Sequence, residues 1–448
     1  MAIRTISSTT AGIDVDTSSD LWVLRDGFSL GNAGDAFDFL TFSNSTLLVE
    51  GLVYSQTDAI DSDDGSSFNT VTVSATGTVY GVSDGIELGG NDHEVFNYGT
   101  VTGVNDRGIQ MIGDNGEVVN TGTVSGQSDG LSLEGNNGVL INHGSISSAA
   151  YDGVNVAGTG NYVSNSGQIV GARHGLEFNT VLAETNTLVN AGTITGNATA
   201  VRGDFGDERV INSGTLLGVV DLLGGADFFN GNGGTVSGTV LGGAGDDTLQ
   251  GGENADVMEG GDDADLLIGR GGDDVLAGDA GNDMMLGGAG NDSMTGGNNN
   301  DTMNGNAGDD TMEGGAGNDI LVGQDGSDWL DGGTGLAYLT LMSHAFPIAT
   351  RVEDALKPGV KVARTRAEAE ALVPEHKIDS LATDWIDVTE EEAEAYLSSH
   401  AGENGPHGHL QKYEDNEGNP VLAVTWWKLD DQAGIMPLPK ASKKKPAA

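Results

Sequence analysis

Gly242-Gly243-Ala244-Gly245-Asp246-Asp247-Thr248-Leu249-Gln250 opens a period of nine that runs ten times without a gap, closing on Gly323-Gln324-Asp325-Gly326-Ser327-Asp328-Trp329-Leu330-Asp331. The sixth position is aspartate in every unit: Asp247, Asp256, Asp265, Asp274, Asp283, Asp292, Asp301, Asp310, Asp319 and Asp328. The eighth is always Leu or Met: Leu249, Met258, Leu267, Leu276, Met285, Met294, Met303, Met312, Leu321 and Leu330. Six residues make a turn in which glycine supplies positive φ, and three make a short strand whose eighth-position side chain points inward. With two units per coil, each aspartate stacks beside the aspartate two units on, about 5 Å away. Stacked carboxylates repel unless neutralised. A hard cation wanting six to eight oxygens, Ca2+, suits carboxylates and turn carbonyls. The ten aspartates are therefore the expected metal ligands, and ten units leave 10 − 2 = 8 intervals for up to about eight ions.

These 90 residues resemble the G-G-x-G-x-D-x-U-x nonapeptides of RTX (haemolysin-type) proteins. The resemblance implies a calcium β-roll, secretion (usually by the one-step type I route) and an extracellular location. Position four departs from glycine at Asn254, Asp263 and Asn299, where weaker sites are expected. Upstream, Gly224-Gly225-Ala226-Asp227-Phe228-Phe229 resembles a degenerate first calcium turn.

Charge agrees with a cation partner. Among 448 residues, 67 acids stand against 19 Lys and Arg, a balance that repels nucleic acid and anionic membrane. No apolar run reaches 18 residues, which argues against membrane insertion by a spanning helix. Met1-Ala2-Ile3-Arg4-Thr5 lacks the apolar core of a cleavable signal peptide, so export is expected to use a route that does not read one. Cysteine is absent, which rules out a disulfide framework.

A second repeat precedes the nonapeptides. Asn97, Asn120, Asn142, Asn165, Asn190 and Asn212 each precede x-Gly by one offset, at spacings of 22–25 residues. Each unit holds about three short β-prone runs between Gly/Asn/Asp turns, and Val79, Val101, Val124, Ile146, Ile169, Ile194 and Leu216 fill one position of the middle run. Such a period, with no proline before Pro347, suits a right-handed parallel β-helix whose apolar residues form inner columns and whose asparagines stack at the turns. Residues 46–234 resemble the repeats of autotransporter passenger and adhesin β-helices. The outward Thr100/Thr102, Thr123/Ser125, Ser145/Ser147 and Thr193/Thr195 read as a solvated β-face.

Catalytic motifs are sparse. Gly81-Val82-Ser83-Asp84-Gly85 and Gly126-Gln127-Ser128-Asp129-Gly130 occupy the same repeat position and are copies of one turn, without the strand–turn–helix setting of a nucleophile elbow. No H-E-x-x-H zinc motif occurs. Polysaccharide lyases and C5-epimerases also pair β-helices with RTX modules, and His93, His143, His174, Tyr151, Arg107 and Arg173 are the residues that such an enzyme would use. Tyr151-Asp152-Gly153-Val154 lacks the Asp-Pro-His stretch of the epimerases. Asp58, Asp61, Asp63 and Asp64 read as a solvated charge cluster.

Composition changes near residue 342. All 8 prolines and every lysine follow it, with only six of the 73 glycines. Residues 342–448 read as a small α+β segment, either a fusion or a partner domain, with helices at 365–375 and 389–400 and a hairpin of Leu410–Glu414 with Val421–Trp427. His407-Gly408-His409 reads as a polar turn, and the Lys443-Lys444-Lys445 tail does not resemble a type I export signal. The sequence thus predicts an all-β protein: a cap (1–45), a parallel β-helix (46–234), an RTX β-roll (235–341) and the α+β segment. The expected function is calcium-coupled extracellular adhesion, surface binding or structure, with cell-surface or polysaccharide partners. The alternative is an enzyme acting on the β-helix face.

Overall fold

The computed structural model describes residues 3–335 apart from 10–11, 16–18, 64 and 180–184, together with Tyr338–Leu341, Lys361–Val362, His407–Glu414 and Pro420–Trp427. It is all-β, a parallel β-solenoid without helices among the described residues, so no helix there is long and apolar enough to cross a membrane. The expected helices at 365–375 and 389–400 lie outside the described residues. The chain forms two compact units: Met1–Glu253 with Val257–Gly261, and Asn254–Asp256 with Asp262–Ala448.

In the first unit each rung carries three short strands, as in Glu94–Asn97, Thr100–Gly103 and Ile109–Ile112. Each pairs in parallel with its copy one repeat on: Val95 with Val118, Val101 with Val124, Ile109 with Leu131. The alternation of inward and outward side chains buries Val79, Val101, Val124, Ile146, Ile169, Ile194 and Leu216 completely, in one column. Each such side chain contributes about 1.5–3 kcal/mol by leaving water. Parallel stacking reaches back to Ile3–Ile6, which pairs with Leu21–Leu24, through the stretch expected to cap the helix. There Trp22, Phe37 and Phe39 pack edge to face, with centroids 5.7 and 5.0 Å apart.

The repeated asparagines form a ladder that the sequence reading placed correctly but described incompletely. Each Nδ2 donates first to the next asparagine's Oδ1: Asn97 to Asn120 at 2.7 Å, Asn120 to Asn142 at 2.8 Å, Asn142 to Asn165 at 2.7 Å, Asn165 to Asn190 and Asn190 to Asn212 at 2.8 Å. A bond to the next rung's backbone is present as a longer partner, as from Asn97 to Thr123 O at 3.2 Å. Each Oδ1 can also cap its own turn, as Asn97 does for Gly99 N–H at 3.1 Å.

In the second unit the coils contain two nonapeptides. Met285 pairs with Met303 and Met303 with Leu321 on one side; Leu276 pairs with Met294 and Met294 with Met312 on the other. The strands are longer than the three residues expected. Met284–Ala289 continues into the glycines, so that Gly288 pairs with Asn306 and Ala289 with Ala307, because identical turns stacked in register bring their backbones within ladder distance. The inward Leu and Met column is wholly buried. His407–Glu414 and Pro420–Trp427 form the expected antiparallel hairpin. His407, expected in a turn, begins its first strand opposite Trp427.

Candidate metal centre

From Asp274 to Asp328, each sixth-position aspartate performs one backbone task. Its Oδ1 accepts the amide N–H of the aspartate two nonapeptides earlier: Asp256 donates to Asp274 at 2.8 Å, Asp265 to Asp283, Asp274 to Asp292, Asp283 to Asp301 and Asp292 to Asp310 at 2.9 Å, Asp301 to Asp319 at 3.0 Å, and Asp310 to Asp328 at 3.1 Å. One oxygen is thereby used and the other is left over. The Oδ2 atoms of Asp274, Asp283, Asp292, Asp301, Asp310 and Asp319 are buried without a hydrogen-bond partner. A buried carboxylate oxygen in that state carries a large desolvation cost.

The glycine at position one shapes the cradle. A Cβ on Gly305 would collide with Asp310 Oδ2, and the same holds for Gly278 with Asp283 and Gly314 with Asp319. Asp263 and Asn299, which replace the fourth-position glycine, have φ of 79° and 76°. Asp and Asn tolerate that left-handed conformation, so the turn survives the substitution.

Burial lifts the carboxyls. Asp274, Asp301 and Asp310 are each pushed up to about 7, first by desolvation and then by the neighbouring carboxylates of their column, against the amide bond that lowers them. Asp283, Asp292, Asp319 and Asp328 are raised for the same leading reason. Aligned, dry, under-coordinated carboxylate oxygens beside carbonyl-rich turns fit a hard oxygen-seeking dication. The matching family model is the RTX calcium-binding nonapeptide repeat, in four copies over 237–267, 268–303, 277–312 and 304–336.

This segment consists of RTX repeats. Such nonapeptides bind calcium, so Ca2+ is the cofactor of the array. No curated protein and no solved structure matches the chain.

Outside the RTX repeats the sequence-selected residues separate into different settings. His93 is buried, with Nε2 2.8 Å from Gly89 O and 3.1 Å from Ser66 Oγ, while Nδ1 accepts Asn69 N–H at 3.1 Å. It is a structural cap, and burial lowers its pKa. His143 is exposed on a turn, 2.6 Å from Ser166 Oγ. Tyr151, Arg173 and His174 do come together, joined by residues the sequence reading missed. Arg173 holds Asp152 at 2.5 Å and Glu177 at 2.7 Å, Arg202 holds Glu177 at 2.8 Å, and Arg173 lies 5.5 Å from the Tyr151 ring centroid. Burial and the Asp152 carboxylate push Glu177 up to about 7. Burial lowers His174, which bonds Thr199 Oγ1 at 2.6 Å. Arg107 faces Asp129 at 3.5 Å and Glu134 at 3.4 Å. The early acidic turn divides: Asp61 joins Asp35 and Asp38, while Asp58 joins Asp84 and Glu87.

Proposed function

We propose that this is a secreted calcium-binding repeat protein that acts outside the cell in adhesion, surface binding or structure, and whose roll folds on calcium. The proposed ligands are Asp247, Asp256, Asp265, Asp274, Asp283, Asp292, Asp301, Asp310, Asp319 and Asp328. The observation that carries this reading is the row of buried Oδ2 atoms left over after each Oδ1 has bonded an amide. Without a cation the folded array holds raised carboxyls at close spacing, while the unfolded chain hydrates them. Metal binding energy then becomes folding energy. Low cytoplasmic calcium would keep the array unfolded for export, and extracellular calcium would fold it. Calcium titration of the full chain, followed by far-UV circular dichroism, tests the coupling: β-signal should rise with calcium and fall with chelator. A roll equally folded in both would refute it. Attachment of the purified chain to cell surfaces or acidic polysaccharide, with and without calcium, tests the adhesive role.

A second reading has one specific observation in its favour. Tyr151, Asp152, Arg173, His174, Glu177 and Arg202 form a charged, partly buried constellation, with a carboxyl near 7 and a lowered histidine. It supports a polysaccharide lyase or C5-epimerase. Against it, Arg173 is already neutralised by Asp152 and Glu177, leaving little charge for a uronate. Turnover of alginate or pectate that disappears in His174→Ala and Tyr151→Phe would establish the enzyme.

A further inference from the structure

The ladder that ends in the nonapeptides begins much earlier. In the first unit, one rung position is occupied successively by Asn161, Asn186, Glu208, Asp227 and Asp247, as the register of the following residues shows. Except for Glu208, they serve one backbone purpose, accepting the amide of the preceding rung. Asn161 N–H donates to Asn186 Oδ1 at 2.9 Å, Glu208 N–H to Asp227 Oδ1 at 2.6 Å and Asp227 N–H to Asp247 Oδ1 at 2.7 Å. Up to Asn186 the acceptor is a neutral amide, which asks for no counter-charge. At Glu208 the position becomes acidic and remains so.

The turns change with it. Leu222-Leu223-Gly224-Gly225-Ala226-Asp227 reproduces the nonapeptide loop, and Gly203-Asp204-Phe205-Gly206-Asp207-Glu208, 19 residues earlier, resembles it in sequence without positive φ at Asp204 or Gly206; both lie before residue 237, where the family match starts. Leu223 and Gly225 have φ of 70° and 130°, as Gly288 and Gly290 have 124° and 131° at the same positions of an RTX turn. A bulky leucine adopts that conformation only where the surroundings impose it. Ala226 N–H donates to Asp207 Oδ1 at 2.9 Å, as Asn291 N–H does to Asp273 Oδ1 at 2.8 Å.

The decisive atoms are two oxygens. Glu208 is 1% exposed and Asp227 2%, and Glu208 Oε1 and Asp227 Oδ2 are buried with no hydrogen-bond partner. Glu208 spends its other oxygen on Asp204 N–H at 3.3 Å, a reach back to its own turn that the extra methylene allows. Burial, then Asp204 and Asp227, push Glu208 up to about 9; burial, with Asp247 and Asp207 adding to it, pushes Asp227 up to about 8.

We infer that Glu208 and Asp227, with the carbonyls of turns 203–208 and 222–227, form a calcium site upstream of the RTX repeats. The inference rests on calcium occupying the RTX turns, whose chemistry these two turns copy. It makes the array's first carboxylate a glutamate embedded in the 22-residue helix, so that calcium also ties down the C-terminal rungs of the first unit.

Equilibrium dialysis of the full chain with radioactive calcium provides the test, with Glu208→Gln/Asp227→Asn compared against the wild type and against Asp292→Asn/Asp310→Asn. The upstream double variant should bind at least one calcium fewer per chain, and the RTX variant should also lose calcium. An upstream variant that keeps the wild-type number while the RTX variant loses ions would overturn this inference alone. If neither variant loses calcium, the calcium reading of the RTX aspartates falls, and the upstream site with it. Hydrogen exchange of peptides spanning 203–230, in chelator at pH 8, separates loss of a site from misfolding. The neutral variant should be better protected there than the wild type, since it avoids the cost of burying or protonating carboxyls that are ionised in the unfolded chain at pH 8. Poorer protection would mark the residues as structural and refute the site.

Discussion

Asp310→Asn should change the stability of the roll in opposite directions with and without calcium. The substitution is isosteric and keeps Oδ1 to accept the Asp292 amide, now 2.9 Å away, so the ladder bond survives. Only the charge is removed. Lifting the Asp310 carboxyl from its ordinary 3.8 to about 7 corresponds to ~4 kcal/mol against the charged form in the folded roll. The unfolded chain gives up this proton near 3.8 and the folded roll near 7, so between those values the folded state binds more protons. Stability in chelator therefore falls as pH rises through that window and levels off above it. Asparagine has no such term. In chelator at pH 8 the variant should be more stable than the wild type by up to about 4 kcal/mol, a large share of the 5–15 kcal/mol typical of a domain. At pH 3.5 the two should coincide. In saturating calcium the order should invert, because a carboxylate ligand has been lost. The assay is hydrogen exchange of peptides spanning 293–331, which reads the folded population in chelator and in calcium alike. Asparagine that destabilises the roll in chelator at pH 8, or a gain that persists unchanged at pH 3.5, would refute the reasoning.

Three further outcomes follow from the same geometry. From the calcium-free roll that is folded at pH 6.5, added calcium should release protons from Asp274, Asp301 and Asp310, whose carboxyls lie near 7, whereas at pH 9 release from these three should vanish; a pH-stat titration measures it. Gly305→Ala drives a Cβ into Asp310 Oδ2 and should cost about 1–3 kcal/mol in the calcium-loaded roll, raising the calcium midpoint in a circular dichroism titration. Asn142→Ala takes one of two ladder partners from each of Asn120 and Asn165 and should cost about 2–3 kcal/mol, measured as a lower urea midpoint that does not depend on calcium.

The nonapeptides were legible because one short period carries everything: turn glycine, ligand and core residue recur together, so spacing alone fixes which aspartates stack. The first unit was legible in its apolar column and in its asparagines for the same reason. Glu208 was not, since its partner Asp227 lies at a spacing matching neither period and its side chain is not the expected aspartate. The Arg173 network was equally hidden. Its carboxylates Asp152 and Glu177 look like ordinary turn and strand acids until the coil brings residues 21 and 4 apart onto one guanidinium. Strand length in the roll was underread because glycine runs suggest loops, whereas register between identical turns lets them pair.

The two ladders explain why only part of the chain is expected to respond to calcium. Both place a side-chain oxygen where a neighbouring amide needs an acceptor. An asparagine then has Nδ2 left to donate, and the next asparagine's Oδ1 receives it, so the column from Asn97 to Asn212 satisfies itself indefinitely. An aspartate has only a second acceptor left, and the next aspartate has nothing to donate. Repeating that residue accumulates unpaired oxygens in a dry core, each coil adding to the deficit, until a cation supplies what no neighbouring side chain can. The expected calcium dependence thus turns on one atom per repeat, nitrogen or oxygen.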